Sequence, residues 1–261
     1  EASEADYKAP GDSAPMPAPD SINAKPAEDF AQPLIILNRI AKQLRQKRFN
    51  AGAVDFDRCE VRFKIEPDGH PIGVYFKVAK DANKLIGEFM LLANKKVAEF
   101  VGKRSSAPTF VYRVHDNPDP EKIGKLSQFI KRFGFNLKLS SNSKTTHKHI
   151  NALLDDCHGK PAQTLIETLT IRAMAKAVYS TDNIGHYGLA FPYYTHFTSP
   201  IRRYPDMMVH RLLAHYLDKG KSEDKKRYEE LCKHSSAREQ LATDAERASI
   251  KYKLSEFMQD K

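Results

Sequence analysis

The sequence has no tryptophan and only three cysteines, Cys59, Cys157 and Cys232. The cysteines stand far apart, without a CxxC pair or a metal-ligand spacing, which argues against a zinc site and a disulfide framework. We expect reduced thiols, in the core or at the surface, of a cytoplasmic protein. No apolar run approaches the roughly 18 residues that a membrane span requires, and no signal-peptide pattern opens the chain. Because the first residue is Glu1 rather than methionine, we expect a truncated form or a proteolytic product.

The charge balance is basic. Across 261 residues, 42 lysines and arginines outnumber 33 aspartates and glutamates, which gives a net charge of +9. This excess points to an anionic partner, and nucleic acid is the foremost candidate. Hydrophobic residues at 41% and charged residues at 29% are ordinary for a globular protein, and the length suits one large domain or two small ones.

Proline and alanine dominate residues 1–33, which predicts an extended lead segment belonging to a domain over residues 34–258. Alternating apolar and charged residues on both sides of a Pro-Asp-Gly turn predict a β-hairpin. Recurring apolar residues predict helices over most of the rest, so the expected fold class is α+β, dominated by helices. The predicted helices cover residues 34–48, 81–101, 120–133, 148–156, 162–177, 199–217 and 224–258. The predicted hairpin covers residues 59–65 and 72–78, and other short strands are predicted over residues 109–114 and 178–191.

The segment TSPIRR at 198–203 predicts a junction between a loop and a helix, because threonine or serine can cap a helix and proline suits its first turn. Arg202 and Arg203 would then fall in that first turn, where the helix dipole disfavours cations. A bound anion, most naturally a phosphate, would explain both arginines. The alternative is that one arginine pairs with Asp206 and the other is solvated.

Five segments resemble, in the same order, the signatures of the ribonuclease II/R (RNB) family. They are LIGEFMLLAN at 85–94, YRVH at 112–115 with PDPEK at 118–122, HYGLA at 186–190, HFTSPIRRYPDMMVH at 196–210 and DAER at 244–247. The resemblance covers about residues 34 to 258 and implies the C-terminal portion of that family's catalytic domain. It also implies a cytoplasmic, processive enzyme that hydrolyses single-stranded RNA from the 3′ end to nucleoside 5′-monophosphates.

The same resemblance implies roles for individual residues. Arg202 matches an arginine that holds phosphates near the scissile bond, and Glu246 matches a glutamate near the reacting end of the RNA, so both are predicted catalytic residues. Glu88 matches an acidic residue that contacts the sugar of the 3′-terminal nucleotide. From position alone, Glu88 could equally lie on a solvated helix face, and Glu246 could pair with Arg247 or Lys251.

Residues around the arginine motif are predicted to bind or position RNA, namely Tyr194, His196, Ser199 and Arg203. We interpret His196 and His210 as structural or RNA-positioning residues, because metal ions drive hydrolysis in the family that the sequence resembles. Tyr194, like Tyr187 and Tyr193, suits stacking on bases or sugars, although core packing explains such rings equally well.

The closely spaced carboxylates that hold two metal ions are missing. The single adjacent aspartate pair, Asp155-Asp156, ends a predicted helix, and Asp116 and Asp119 suit helix caps, so no metal ligand is assigned. The resemblance implies Mg²⁺ in the complete enzyme, bound by aspartates that precede every matched segment. We therefore expect a piece that is cut at both ends and inactive alone. It would lack the flanking β-barrel RNA-binding domains and the metal-binding half of its own domain, and that half is an expected partner. The alternative function is a non-catalytic module that clamps RNA or docks on a protein.

Overall fold

The computed structural model describes residues 30–54, 60–138 and 143–259, and the side chains of all these residues except 143–145. Residues 38–261 make up one compact unit of the chain, and residues 1–37 make up the other. Of the predicted lead segment, residues 1–29 lie outside the described residues, as does Cys59.

Helices dominate the described part of the chain and the strands are short, which confirms the predicted α+β class. Two antiparallel pairs of strands are present there, β1 (Glu60–Ile65) with β2 (Pro71–Lys77) and β3 (Tyr112–Val114) with β4 (Val178–Ser180). The α-helices are α1 (Ala31–Asn50), α2 (Asp81–Gly102), α3 (Pro120–Ile130), α4 (Ser143–Cys157), α5 (Gln163–Ala173), α6 (Tyr204–Leu217) and α7 (Lys225–Gln259).

Several boundaries differ from the predicted ones. α1 begins at Ala31, three residues earlier than the predicted start at residue 34. Pro33 falls in the first turn of the helix, where the missing N–H of proline removes no intrahelical hydrogen bond. The strand predicted over 178–191 is limited to Val178–Ser180, and Gly185 takes a φ of 81°, which an extended strand does not allow.

The hairpin of β1 and β2 was predicted correctly, and its cross-strand pairs run from Glu60–Lys77 to Phe63–Val74 and beyond. Gly69 closes the turn with a φ of 90°. Its carbonyl accepts a hydrogen bond of 2.6 Å from the Nζ of Lys253 on α7. The hairpin is therefore tied to the last helix.

Two groups of buried apolar side chains form the core of residues 38–261. The first is built mainly by α3, α4 and α5, and the second by α2, β3, β4, α6 and α7. Each contains one free, buried cysteine, Cys157 and Cys232 respectively, so of the two locations left open by the sequence these thiols take the core. Tyr187 belongs to the first group and Phe197 packs against the second, so the segment between β4 and α6 is anchored in both.

Candidate nucleic-acid interface

α6 begins at Tyr204, five residues later than predicted, and Pro205 explains the difference. In a helix that began at Ser199, Pro205 would stand in the interior and could not donate to the carbonyl of Ile201. In the structure it occupies the first turn, where no intrahelical donor is required. Residues 199–203 form a turn instead, in which the N–H of Arg203 donates to the Ser199 carbonyl at 3.0 Å. Both arginines therefore precede the helix. Arg202 does not lie in the first turn, where the helix dipole would disfavour its positive charge.

The loop ahead of α6 is fixed by the side chain of Asn94, a buried residue of α2. Its Oδ1 accepts from the main-chain N–H groups of Phe197 at 2.9 Å and Thr198 at 3.2 Å, and its Nδ2 donates to the Tyr194 hydroxyl at 3.1 Å. His210 of α6 donates through Nε2 to the Phe197 carbonyl at 2.8 Å and stacks on the Phe197 ring. Main-chain groups of this loop are thus held from two helices.

Asp206, the third residue of α6, has no exposed surface and holds the far end of the loop. Its Oδ1 accepts from the Ser199 N–H and from Nη2 of Arg203, both at 2.8 Å. The carboxylate also lies at the positive end of the helix dipole, where a negative charge is favoured. The sequence left two explanations for the arginines, a bound anion or an ion pair with Asp206. In the structure, Arg203 forms the ion pair with Asp206.

Arg202 projects from the same turn into solvent. Its guanidinium donates only to the Ser199 hydroxyl, at 3.3 Å, and forms no ion pair with the residues that the structure describes. Ile201 beside it is fully exposed. A planar guanidinium on a fixed loop is well suited to grip two phosphate oxygens at once.

Tyr194 and His196 precede the arginines in the same loop, and their rings meet edge to face. Tyr194 is 5% exposed, and the Tyr179 hydroxyl and Nδ1 of His196 share a hydrogen bond of 2.8 Å. Burial, followed by the charges of Arg203 and Arg113, lowers the pKa of His196 to about 2, so its ring is neutral. Both side chains therefore support the loop in this structure, and their contact with RNA stays a prediction.

The two glutamates occupy different environments. Glu88 is buried on α2, where Nη2 and Nε of Arg48 donate to its two carboxylate oxygens at 2.5 and 3.4 Å. Glu88 therefore does not lie on a solvated helix face. In this conformation its carboxylate is also not accessible to a sugar. Glu246 is exposed on α7 and pairs with neither Arg247 nor Lys251. The pKa of Arg62 on β1 is raised mainly by its hydrogen bond with Glu60 and the charge of that carboxylate, with the smallest contribution from the charge of Glu246.

The structure brings together Tyr194, His196, Ser199, Arg202 and Arg203, whereas no described contact links this group to Glu88 or Glu246. Asn94 and Arg48 were not singled out from the sequence. A polar residue on an otherwise apolar helix face was the available signal for Asn94. Arg48 offered none, because its partner is 40 positions away.

Among the described residues, no three His, Cys, Asp or Glu side chains converge closely enough to hold a metal ion. The described carboxylates therefore do not form a site that fits the Mg²⁺ that the family resemblance implies. Separately, none of the described helices combines the length and apolar character of a membrane span.

Residues 10–219 match the model of the RNB domain. Ribonuclease R of Aquifex aeolicus is 36% identical over 234 residues, which cover 88% of this chain and 32% of that protein. Two structures of Mycoplasma genitalium RNase R superpose with TM-scores of 0.79 for the apo form and 0.76 for a complex with ribose-methylated single-stranded RNA. Their identities are 24% and 25%, and each match covers 87% of this chain and 36% of the other. This chain spans about a third of the length of these relatives. By the match over residues 10–219, it belongs to the RNB domain family.

Proposed function

We propose that this chain is part of a processive 3′-to-5′ exoribonuclease and that it grips phosphates near the 3′ end of single-stranded RNA. The products of the complete enzyme would be nucleoside 5′-monophosphates, and its compartment the cytoplasm. The similarity to ribonuclease R supports the reaction class. One of the related structures holds single-stranded RNA, which supports the partner.

The observation that carries the proposal is the unpaired guanidinium of Arg202. Asn94 and Asp206 fix the main chain on both sides of it, and Arg203 supplies the charge that neutralises Asp206. Arg202 is therefore spared from any structural ion pair within the described residues and is left for an external anion. Ser199, whose hydroxyl touches this guanidinium, would help to aim it.

The other roles rest on the family match. Glu246, exposed on α7, is proposed to lie near the reacting end of the RNA. Glu88 is proposed to act at the terminal sugar. For this, one carboxylate oxygen of Glu88 must give up its hydrogen bond from Arg48 and accept one from a sugar hydroxyl. Tyr194 and His196 are assigned to support of the loop, because the Tyr194 hydroxyl and Nδ1 of His196 are bonded inside the protein.

Mg²⁺ is proposed as the cofactor of the complete enzyme. Its ligands would come from the metal-binding half of the domain, which we propose as a partner of this chain, because the described residues offer no group to hold it. Mg²⁺ would supply a nucleophile and stabilise developing charge on the phosphate.

RNA binding tests the proposed role of Arg202. A fluorescent oligoribonucleotide is titrated with the chain at several salt concentrations, and affinity should fall steeply as salt rises. Arg202→Gln should weaken binding and reduce the salt slope by about one. Arg132→Gln, at an exposed arginine without an ion pair among the described residues, is the control and should match wild type. Equal effects of the two substitutions would refute the assignment.

Hydrolysis provides a second test. The purified chain with Mg²⁺ should leave a 5′-labelled oligoribonucleotide intact on a gel, because Arg202 and Glu246 cannot position metal ions by themselves. A metal-dependent ladder that shortens from the 3′ end would show that the chain carries a complete catalytic site.

A further inference from the structure

A basin of about 1130 Å³ opens where the end of α1, the outer face of α4 and the segment 184–192 meet. Tyr187, which the sequence offered as a stacking residue, is part of its lining, whereas none of the residues given a role in the proposed function lines it. It is slightly larger than the roughly 300–1,000 Å³ of small-molecule sites, so a nucleotide fits within it. The lining residues that matter here are Phe49, Asn50, Asp116, Asn151, Asp155 and Phe191.

Two aromatic rings edge the basin, and each is accompanied by cations. The guanidinium of Arg45 lies 5.1 Å, and that of Arg48 4.8 Å, from the centre of the Phe49 ring. The Nζ of Lys95 lies 4.8 Å from the centre of the Phe191 ring. Partly exposed rings next to positive charge are the combination by which proteins stack the bases of single strands and hold their phosphates.

The polar groups inside the basin suit the edges of a base. Asn50 uses Oδ1 to accept from Gln46, which leaves its amide N–H groups available, and Asn151 uses Nδ2 to donate to Ala53, which leaves its Oδ1. Donors and acceptors therefore face the same space. Asp116 and Asp155 line it together with one lysine, Lys148, so negative charge outweighs positive charge there and phosphates are disfavoured in its interior.

The phosphates have a place of their own outside the basin. A groove of about 150 Å³ adjoins it and shares Ala51 and Phe191 with it. Lys47 and Lys95 line this groove, and neither forms an ion pair with a residue that the structure describes. In this groove Arg48 pairs with Glu88, so Lys47 and Lys95 are its two cations without an ion pair among the described residues, whereas the two carboxylates of the basin outnumber its one lysine, Lys148.

We propose that the basin receives one base of a single-stranded RNA, stacked on Phe191, while the neighbouring phosphates bind Lys47 and Lys95. This inference rests on the proposed function and adds a second contact to the one at Arg202. Because amide groups adapt to different base edges and a ring stacks on any base, the contact has little sequence preference.

The test compares two fluorescent strands, an oligoribonucleotide and the same strand with abasic residues, on the full chain. Phe191→Leu keeps the apolar volume but removes the ring, and should weaken the normal strand about tenfold and the abasic strand little. Lys95→Gln should weaken both strands. Phe133→Ala and Lys131→Gln, at exposed positions elsewhere, should leave both unchanged. Circular dichroism and thermal unfolding check that each variant is folded.

The outcomes separate the two proposals. If wild type binds neither strand, the proposed function fails and this inference fails with it. If Arg202→Gln weakens binding but Phe191→Leu and Lys95→Gln do not, the basin proposal alone is overturned. Equal losses of both strands in Phe191→Leu would also overturn it, because the ring would then not stack a base. Displacement of the strand by uridine 5′-monophosphate at a matching concentration would show that the basin takes free nucleotides rather than a strand.

Discussion

Asn94 and Phe197 are 103 residues apart in the chain and share a hydrogen bond of 2.9 Å, from the main-chain N–H of Phe197 to the Asn94 side chain. The same Asn94 oxygen also accepts from the next N–H along the loop. One buried amide therefore determines the path of the chain that leads to Arg202.

Replacing that amide should loosen the loop. Asn94→Leu leaves two main-chain N–H groups and the Tyr194 hydroxyl without their partner, so the free energy of unfolding should fall by about 3 kcal/mol. Urea denaturation measures the loss, and hydrogen exchange should show reduced protection of the Phe197 and Thr198 amides. Gln128→Leu, at an exposed site on α3, is the control. Unchanged exchange at both amides would contradict the assigned role of Asn94.

The pair of Arg203 and Asp206 should matter far more than an exposed pair. Asp206→Ala leaves a largely buried guanidinium unpaired, and we expect a loss of about 3–5 kcal/mol in the free energy of unfolding. Glu121→Ala, which breaks the exposed pair with Lys125, should cost less than about 1 kcal/mol. A double variant with Arg203→Met should lose less than the sum of the single losses. Strict additivity would mean that the two residues do not interact.

Stability should fall with acid because two histidines are held neutral. Burial lowers the pKa of His186 to about 3 and that of His196 to about 2, whereas an unfolded histidine titrates near 6.5. The unfolded chain therefore binds more protons below that pH, and stability is complete above pH ~6.5 and declines as pH falls below it. Between pH 7.5 and pH 5, each histidine should remove roughly 2 kcal/mol.

Urea unfolding at several pH values checks this expectation. His196→Asn keeps a hydrogen-bonding partner for Tyr179 but cannot gain the proton, so the decline with acid should be smaller than in wild type. His234→Asn, at an exposed site on α7, should leave it unchanged. The same slope in wild type and His196→Asn would show that His196 is not held neutral in the folded chain.

In the complete enzyme, Arg202→Lys should reduce turnover on the order of 100-fold, about 3 kcal/mol, with RNA affinity nearly intact. Lysine keeps the charge but loses the two-pronged hydrogen bonding that matters as charge develops on the scissile phosphate. Arg203→Lys should instead lower stability, because it weakens the pair with Asp206. Single-turnover rates and equilibrium affinities distinguish these outcomes. A larger turnover defect in Arg203→Lys would mean that the phosphate grip belongs to that residue.

The local sequence pattern predicted the helices and strands better than it predicted the geometry of the candidate RNA-binding site. Apolar periodicity and the Pro-Asp-Gly turn identified the helices and the hairpin, because those signals depend on neighbours in the chain. The start of α6 was misplaced because Pro200 was placed in the first turn, although Pro205 would then stand in the interior of the helix; the contacts of Asp206 with Ser199 and Arg203 hold the turn that precedes the true start. The burial of Glu88 beside Arg48 depends on the meeting of two helices, which no local pattern reveals.

The fixed main chain around Arg202 has an entropic consequence. A mobile loop would lose backbone freedom on capturing an anion, at a cost of about 1–2 kcal/mol for each ordered residue. Asn94, His210 and Asp206 already restrain this loop in the free protein. Capture of a phosphate then orders little more than the rotamers of one arginine side chain, so most of the interaction energy is retained as affinity.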